Sequence, residues 1–194
     1  MSQRTAATIV NEAFDLLGKA PVGDIEKPPP GEVYKRAKAR YESVFDRAMK
    51  LSDWEECGKT LILPTGKGED DDPRYVVQLP PDCLKIWFVN GRTTGYARRA
   101  GPGAGVLLVE TSAPVTVQYA RRLKPAQMTE ELAQLCAALL AVKLIPHAGL
   151  TRNKKDDVKA ALRDAVRDML FVSGSEDGTA APFESVWLDA IGGL

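Results

Sequence analysis

The spacing of hydrophobic positions in this chain changes twice. From Thr5 to Leu17, the residues Ile9, Val10, Ala13, Phe14 and Leu17 recur every three or four positions, which puts them on one face of a helix, and Gly18 is placed to end it. A loop over 19–30 follows, because Pro21, Gly23 and the run Pro28, Pro29, Pro30 remove N–H donors and fix φ. A second helix is expected over about 31–51, with Val33, Ala37, Tyr41, Val44, Phe45 and Ala48 on one stripe. Lys35, Arg36, Lys38, Arg40 and Arg47 fall mostly off that stripe, so this helix is wet on one side.

Between about 57 and 122 the pattern shortens to runs typical of strands: Lys59–Leu63, Tyr75–Leu79, Leu84–Val89, Thr93–Arg98, Val106–Glu110 and Val115–Arg121. Six such segments make one sheet or a small sandwich. Asn90-Gly91 tolerates positive φ at both central positions of a two-residue turn, which predicts a hairpin over 84–98. Thr65–Pro73 and Ala100–Gly105 read as exposed connecting loops.

Helical spacing then returns. A helix over about 129–145 carries Leu132, Leu135, Cys136, Leu139, Leu140 and Leu144 with alanines between, and is expected to be the most buried, with Pro146 and Gly149 breaking it. A last helix over about 154–172 places Val158, Ala161, Leu162, Ala165, Val166, Met169 and Leu170 on one stripe, with Thr151 or Asn153 to cap it and Asp156 and Asp157 to complement its dipole. After Ser173 the chain turns to Gly, Ser, Asp, Thr and Ala, then gathers Phe183, Val186, Trp187, Leu188 and Ile191. A sheet inserted between two helical pairs forms one domain only if the front and back helices pack together, since each has an apolar face to bury. The fold class expected is therefore α+β: a four-helix bundle with an inserted antiparallel β region, forming a single domain over 1–173, and an extended arm over 174–194. Phe14, Phe45, Leu139 and Leu162 are expected in its shared core.

Composition narrows the partners. The 194 residues are 27% charged and 44% hydrophobic, ordinary for a soluble globular domain, and 26 basic residues balance 26 acidic ones. Tight, non-specific binding to nucleic acid or anionic lipid is not expected of so neutral a chain. The opening MSQRTAATIV lacks a basic segment followed by an uninterrupted apolar core, and no apolar run approaches the roughly 18 residues that would suggest a membrane span, so the expectation is a cytosolic chain with no membrane partner. Cys57, Cys83 and Cys136 are odd in number and lack CxxC spacing, which argues for reduced thiols.

The search for chemistry is largely negative. Gly58-Lys59-Thr60 resembles the end of a phosphate-binding loop, but Asp53 stands where a glycine is needed, and strand rather than helix follows. The Gly101–Gly105 segment has small residues suited to a phosphate cradle but no helix start after it. Asp70-Asp71-Asp72 lacks the alternating spacing of a calcium loop. His147, the sole histidine, rules out multi-His metal sites and reads as a helix-end residue. Glu55-Glu56 and Glu130-Glu131 are adjacent and do not face each other; the second pair suits the first turn of a helix. Trp54, Trp87 and Tyr119 with Arg98, Arg99, Arg121 and Arg122 suit stacking and phosphate contacts, but the zero net charge favours a sheet core with basic strand ends. No catalytic residue, cofactor or metal is expected.

The order of elements carries a resemblance. Taken with Tyr41–Trp54, the turn Leu79-Pro80-Pro81-Asp82-Cys83-Leu84-Lys85-Ile86, the strand Val115–Leu123 containing Tyr119-Ala120-Arg121-Arg122, and the Ala/Leu-rich third helix, residues 5–172 resemble the head-to-tail adaptor proteins of tailed bacteriophages, nearest to the tail tubular protein A, or gp11-like, group. That resemblance implies a non-catalytic ring of twelve subunits beneath the phage portal protein, joined below to a tail or nozzle protein. It further implies a channel through which genomic DNA passes without specific binding, and a place at the head–tail junction of the virion after assembly in the host cytoplasm. The proline loop 28–30 and the tail depart from the group. On this reading Phe183, Val186, Trp187, Leu188 and Ile191 bind the portal, while Lys35, Arg36, Arg40, Asp164 and Asp168 meet the neighbouring subunit. Two other classes stay open: a sheet-based single-stranded nucleic-acid-binding module, and an enzyme whose site forms between subunits.

Overall fold

A computed structural model describes residues 4–51, 54–68, 73–100 and 105–172. The helices are α1 (Ala6–Leu16), α2 (Glu32–Leu51), α3 (Glu130–Ala148) and α4 (Arg152–Val172). The strands are β1 (Gly58–Leu63), β2 (Gly66–Lys67), β3 (Tyr75–Gln78), β4 (Cys83–Val89), β5 (Tyr96–Arg99), β6 (Val106–Val109) and β7 (Val115–Arg121). The fold is mixed α+β, with two antiparallel sheets. The chain divides into two compact units, a helical one of Met1–Val44 with Thr129–Leu194 and a sheet one of Phe45–Met128, so α2 contributes its first part to one and its last turns to the other.

In the helical unit α3 is the central element, packed closely on both α1 and α4. Its apolar residues go all the way round, and twelve of them, Leu135, Leu139 and Leu140 included, are buried, as expected of a helix enclosed on several sides. By length and composition α3 alone among the described helices passes for a membrane span, contrary to the expectation that nothing would, but 67% of that stretch is buried against its own protein. It also runs three residues past the expected end, with Pro146 inside its last turn and Gly149, at φ +64°, as the left-handed cap. The proline ring forfeits one backbone bond there but its fixed φ is helical, so the glycine rather than the proline stops the helix.

α1 opens on Thr5, whose Oγ1 accepts from the Thr8 N–H at 3.2 Å, and closes where Lys19 N–H reaches the Phe14 carbonyl at 2.8 Å across Gly18 at φ +64°. The proline-bearing loop after it is tied down: Asn11 exchanges two hydrogen bonds with the Val22 backbone, at 2.7 and 2.9 Å, and Val22 and Ile25 are buried. α2 joins this unit through Tyr34, whose ring meets Phe14 edge-on with centroids 4.9 Å apart. Of the four residues expected in one shared core, Phe14, Leu139 and Leu162 lie in the helical unit and Phe45 in the sheet unit, all of them buried. α4 begins two residues earlier than expected; Thr151 caps it, accepting from the Lys154 N–H at 3.4 Å, so Asp156 and Asp157 fall beyond its first turn.

The sheet unit holds a three-stranded sheet, β1-β7-β4, and a four-stranded one, β2-β3-β6-β5. One cluster draws on both: Val77, Leu107 and Val109 from the larger sheet, Val89, Val115, Val117 and Tyr119 from the smaller. This is the small sandwich. The hairpin expected over 84–98 does not form. Its turn does, with Asn90 at φ 50° and Gly91 at φ 72° and Val89 and Arg92 exchanging backbone bonds, but the ladder stops there. The chain bends through Gly95 at φ 86° and delivers β5 to the other sheet, where it pairs with β6, while β4 pairs with β7. A seventh strand, β2, lies within what the sequence suggested was loop.

Candidate functional site

The exposed polar residues that the helical unit gathers into a concave surface come from three helices. α4 buries Val158, Leu162, Ala165, Val166 and Met169 and leaves Asp164 and Asp168, four positions apart, exposed. Glu12 and Asp15 of α1 and Glu130 at the start of α3 join them around a cleft of about 640 Å³, where Lys154 is the one basic lining residue. Leu16, Ala137, Ala138, Ala161 and Ala165 line it with small apolar groups. Arg4 braces one end: its guanidinium is paired with the Glu130 carboxylate and donates to the Thr129 carbonyl at 3.1 Å. Burial, reinforced by the charge of Glu130 and opposed by that of Arg4, raises the Glu12 pKa above the usual carboxylate value.

Of the residues expected at a subunit seam, the structure brings Asp164 and Asp168 together in this cleft, and Asp164 also pairs with Arg167 at 3.5 Å. Lys35, Arg36 and Arg40 sit on α2 instead and do not line it. Lys35 and Arg36 are exposed and Arg40 half-buried. Arg36 donates to Glu32 one turn earlier at 2.6 Å, and this bond lowers the pKa of the Glu32 carboxyl. Glu12, Asp15 and Glu130 were missed at the sequence level, since nothing local says that the polar side of α1 meets that of α4. Phe183, Val186, Trp187, Leu188 and Ile191 lie outside the described residues, as do Asp70, Asp71 and Asp72 and residues 101–104 of the glycine-rich segment.

A second constellation ties the sheet unit together. Asp82, in the turn before β4, accepts from the Tyr119 hydroxyl at 3.2 Å and pairs with Lys59 at 3.6 Å, while its backbone carbonyl accepts from the Arg122 N–H at 2.7 Å. Arg122 in turn donates through Nε to Asp46 at 2.7 Å. The Leu79–Ile86 turn and the Tyr119–Arg122 segment thus meet at one residue, Asp82, through its carboxylate and its backbone carbonyl. Burial, then the charge of Asp82, pushes the Tyr119 hydroxyl up to about 12.

Gly58-Lys59-Thr60 opens β1, as strand rather than phosphate loop. Gly58 is needed there for close approach, because a Cβ would stand 3.1 Å from the Trp87 ring and 3.0 Å from the Glu55 carbonyl oxygen. The cysteines are free and buried, and burial pushes the Cys57 thiol up to about 12 and raises Cys83, so neither is a ready nucleophile at neutral pH. Trp54 and Tyr119 are buried, with the Trp54 Nε1–H donating to the Ala48 carbonyl at 3.2 Å. His147 lies in the last turn of α3 and Glu130-Glu131 in its first, both as expected. Among the described residues no three of His, Cys, Asp and Glu are grouped to hold a metal ion. What the cleft can do is receive cationic side chains over an apolar floor. No protein-family model matches this chain, and no curated protein matches it in sequence.

Proposed function

We propose that this chain is a structural head-to-tail adaptor of a tailed bacteriophage. Copies form a ring, of twelve subunits as the family resemblance implies, beneath the portal protein; the ring joins a tail or nozzle protein below and lines a channel for genomic DNA. Its four helices form one bundle, with the antiparallel β region inserted in the chain between the second and third, and it works without catalysis or a cofactor, at the head–tail junction of the virion after assembly in the host cytoplasm. The observation that carries the reading is the order of elements: two helices, a strand-built unit and two helices, followed in the sequence by a segment that gathers Phe183, Val186, Trp187, Leu188 and Ile191. Two features add to it. The Leu79–Ile86 turn and the Tyr119–Arg122 segment, two separate parts of the resemblance, serve one structural node at Asp82. The charge balance suits a channel wall, because strongly basic walls would hold DNA by its phosphates. Burial of Trp54 and Tyr119 takes two of three stacking aromatics from the single-strand-binding alternative.

The test is the mass of the purified chain with and without a portal ring from a tailed phage. A shift to a portal-bound ring is expected. A chain that ignores the portal, or one that binds single-stranded DNA with steep salt dependence, overturns the reading.

A further inference from the structure

The cleft between α1, α3 and α4 has an apolar floor, carboxylates from three helices around it, and a second surface on the same chain that matches it. That surface is the exposed side of α2, where Lys35, Arg36 and Arg40 flank Ala39 and Ser43. Among the described residues Lys35 and Arg40 make no ion pair, and Arg36 is held only by Glu32. We infer that the exposed face of α2 in one copy docks into the α1–α3–α4 cleft of a second copy. This seam rests on the ring proposed above and names the surfaces that build it.

Three physical points select this occupant. Charge is the first: at the cleft five carboxylates outnumber Lys154 together with Arg4 and Arg167, which pair with Glu130 and Asp164, and on the α2 face three cations outnumber Glu32, so the two surfaces carry opposite net charge that attracts between copies, and the cleft repels an acidic partner or a nucleic-acid phosphate. Spacing is the second: Asp164 and Asp168 are one helical turn apart, as are Arg36 and Arg40, so both pairs repeat at about 6 Å and two helices laid side by side can engage both at once. Bulk is the third. Ala137, Ala138, Ala161 and Ala165 in the cleft and Ala39 and Ser43 on α2 leave room for the helices to approach while long cationic side chains reach the rim. Because cleft and stripe lie on different helices, the contact is head-to-tail, so each copy uses one surface on each neighbour and the series closes into a ring or runs on as a filament.

The experiment uses two full-length variants. One carries Asp164→Lys and Asp168→Lys, the other Lys35→Glu, Arg36→Glu and Arg40→Glu. In the first, the two introduced lysines with Lys154, Arg4 and Arg167 outnumber Glu12, Asp15 and Glu130, so cleft and stripe are both basic; in the second, both are acidic. Sedimentation velocity should find the unaltered chain self-associating, and each variant alone weakened by about tenfold or more in association constant. Mixing the two should restore assembly, since every seam is then between opposite charges. Raising salt from about 0.1 M to about 1 M, which shortens screening from about 10 Å to about 3 Å, should weaken the unaltered chain and the mixture alike. Circular dichroism checks that both variants fold, and the rescue by mixing is a gain that misfolded chains do not give. The seam is overturned if the unaltered chain does not self-associate at any accessible concentration, if either variant alone assembles as it does, or if mixing restores nothing. Binding of the single chain to a portal ring is measured in parallel: if it survives, the adaptor reading stands without this seam, and if it is lost in the unaltered chain, that reading falls separately.

Discussion

Asp82 holds three neighbours, and the removal of one shows what each is for. Tyr119 is fully buried, so its hydroxyl has no solvent to turn to once Asp82 is out of reach. Tyr119→Phe should cost about 1.5–3 kcal/mol in urea denaturation, the range for a hydrogen bond to a charged group, and a cost below about 0.5 kcal/mol would mean the bond contributes little. The phenol's native pKa near 12 exceeds its ordinary 10.0, so its stabilising effect is complete below pH 10.0 and lost as pH rises through about 12; the phenylalanine variant should lack that alkaline fall. Glu12 behaves likewise at acid pH. Its pKa is raised above 4.5, so the stability it contributes is fully present below 4.5 and is lost as pH climbs through the native value. Glu12→Gln should therefore melt higher than the unaltered chain at neutral pH and lose that advantage below 4.5; a difference in melting temperature that ignores pH would discard burial as the cause. Neither pairing was legible from sequence: Asp82 and Tyr119 stand 37 positions apart, and no periodicity links a turn to a strand that distant. The bonds from Asn11 to Val22 escaped for a related reason, since an asparagine on the polar side of a helix looks solvated until the loop that folds back on it is known.

Helices α1, α2 and α4 were legible because each buries a stripe that repeats with its own backbone, α3 because its long Ala/Leu-rich run is apolar all round, and the strands because short apolar runs between turn residues leave few other options. Strand partners were not. Asn90-Gly91 makes the turn its chemistry demands, but a turn fixes only the residues beside it, and Gly95 redirects the chain before a ladder can grow. The cleft was half legible: Asp164 and Asp168 show on the helical wheel of α4, while the α1 and α3 carboxylates opposite them depend on packing that only α3 arranges. That makes α3 the element to test. Leu139 is 2% exposed in a helix enclosed by α1 and α4. Leu139→Ala should cost about 2–5 kcal/mol, the range for truncating a buried leucine that its neighbours cannot collapse onto. The same truncation should loosen the cleft, because α3 supplies Ala137 and Ala138 to its lining. A loss under roughly 0.5 kcal/mol, typical of surface changes, would remove α3 from the centre of the unit.

At the scale of the whole molecule, the proposal turns on the segment after α4, whose Phe183, Val186, Trp187, Leu188 and Ile191 are too apolar to be left in water without cost. The stretch Gly174–Ala181 before them is built of small and polar residues that give it little to bury, which suits a tether better than a packed element. Fully extended, residues 174–194 reach up to about 70 Å at about 3.3 Å per residue, enough to leave their own subunit and meet a partner above the ring. On the proposed reading each of these side chains would contribute roughly 1.5–3 kcal/mol when fully buried on the portal, less the entropy of ordering the segment, and repetition around a ring would multiply weak attachments through effective concentration. The competing arrangement has Trp187 folded onto its own chain, where it would add to the stability of the subunit instead of to attachment. Deletion of residues 178–194 separates the two. If the arm is a portal hook, the truncated chain should keep its melting temperature, keep any self-association through the α2 seam, and lose attachment to the portal ring. A large drop in melting temperature would place the anchors in the subunit's own core, and attachment that survives truncation would transfer the portal contact to the described body of the protein.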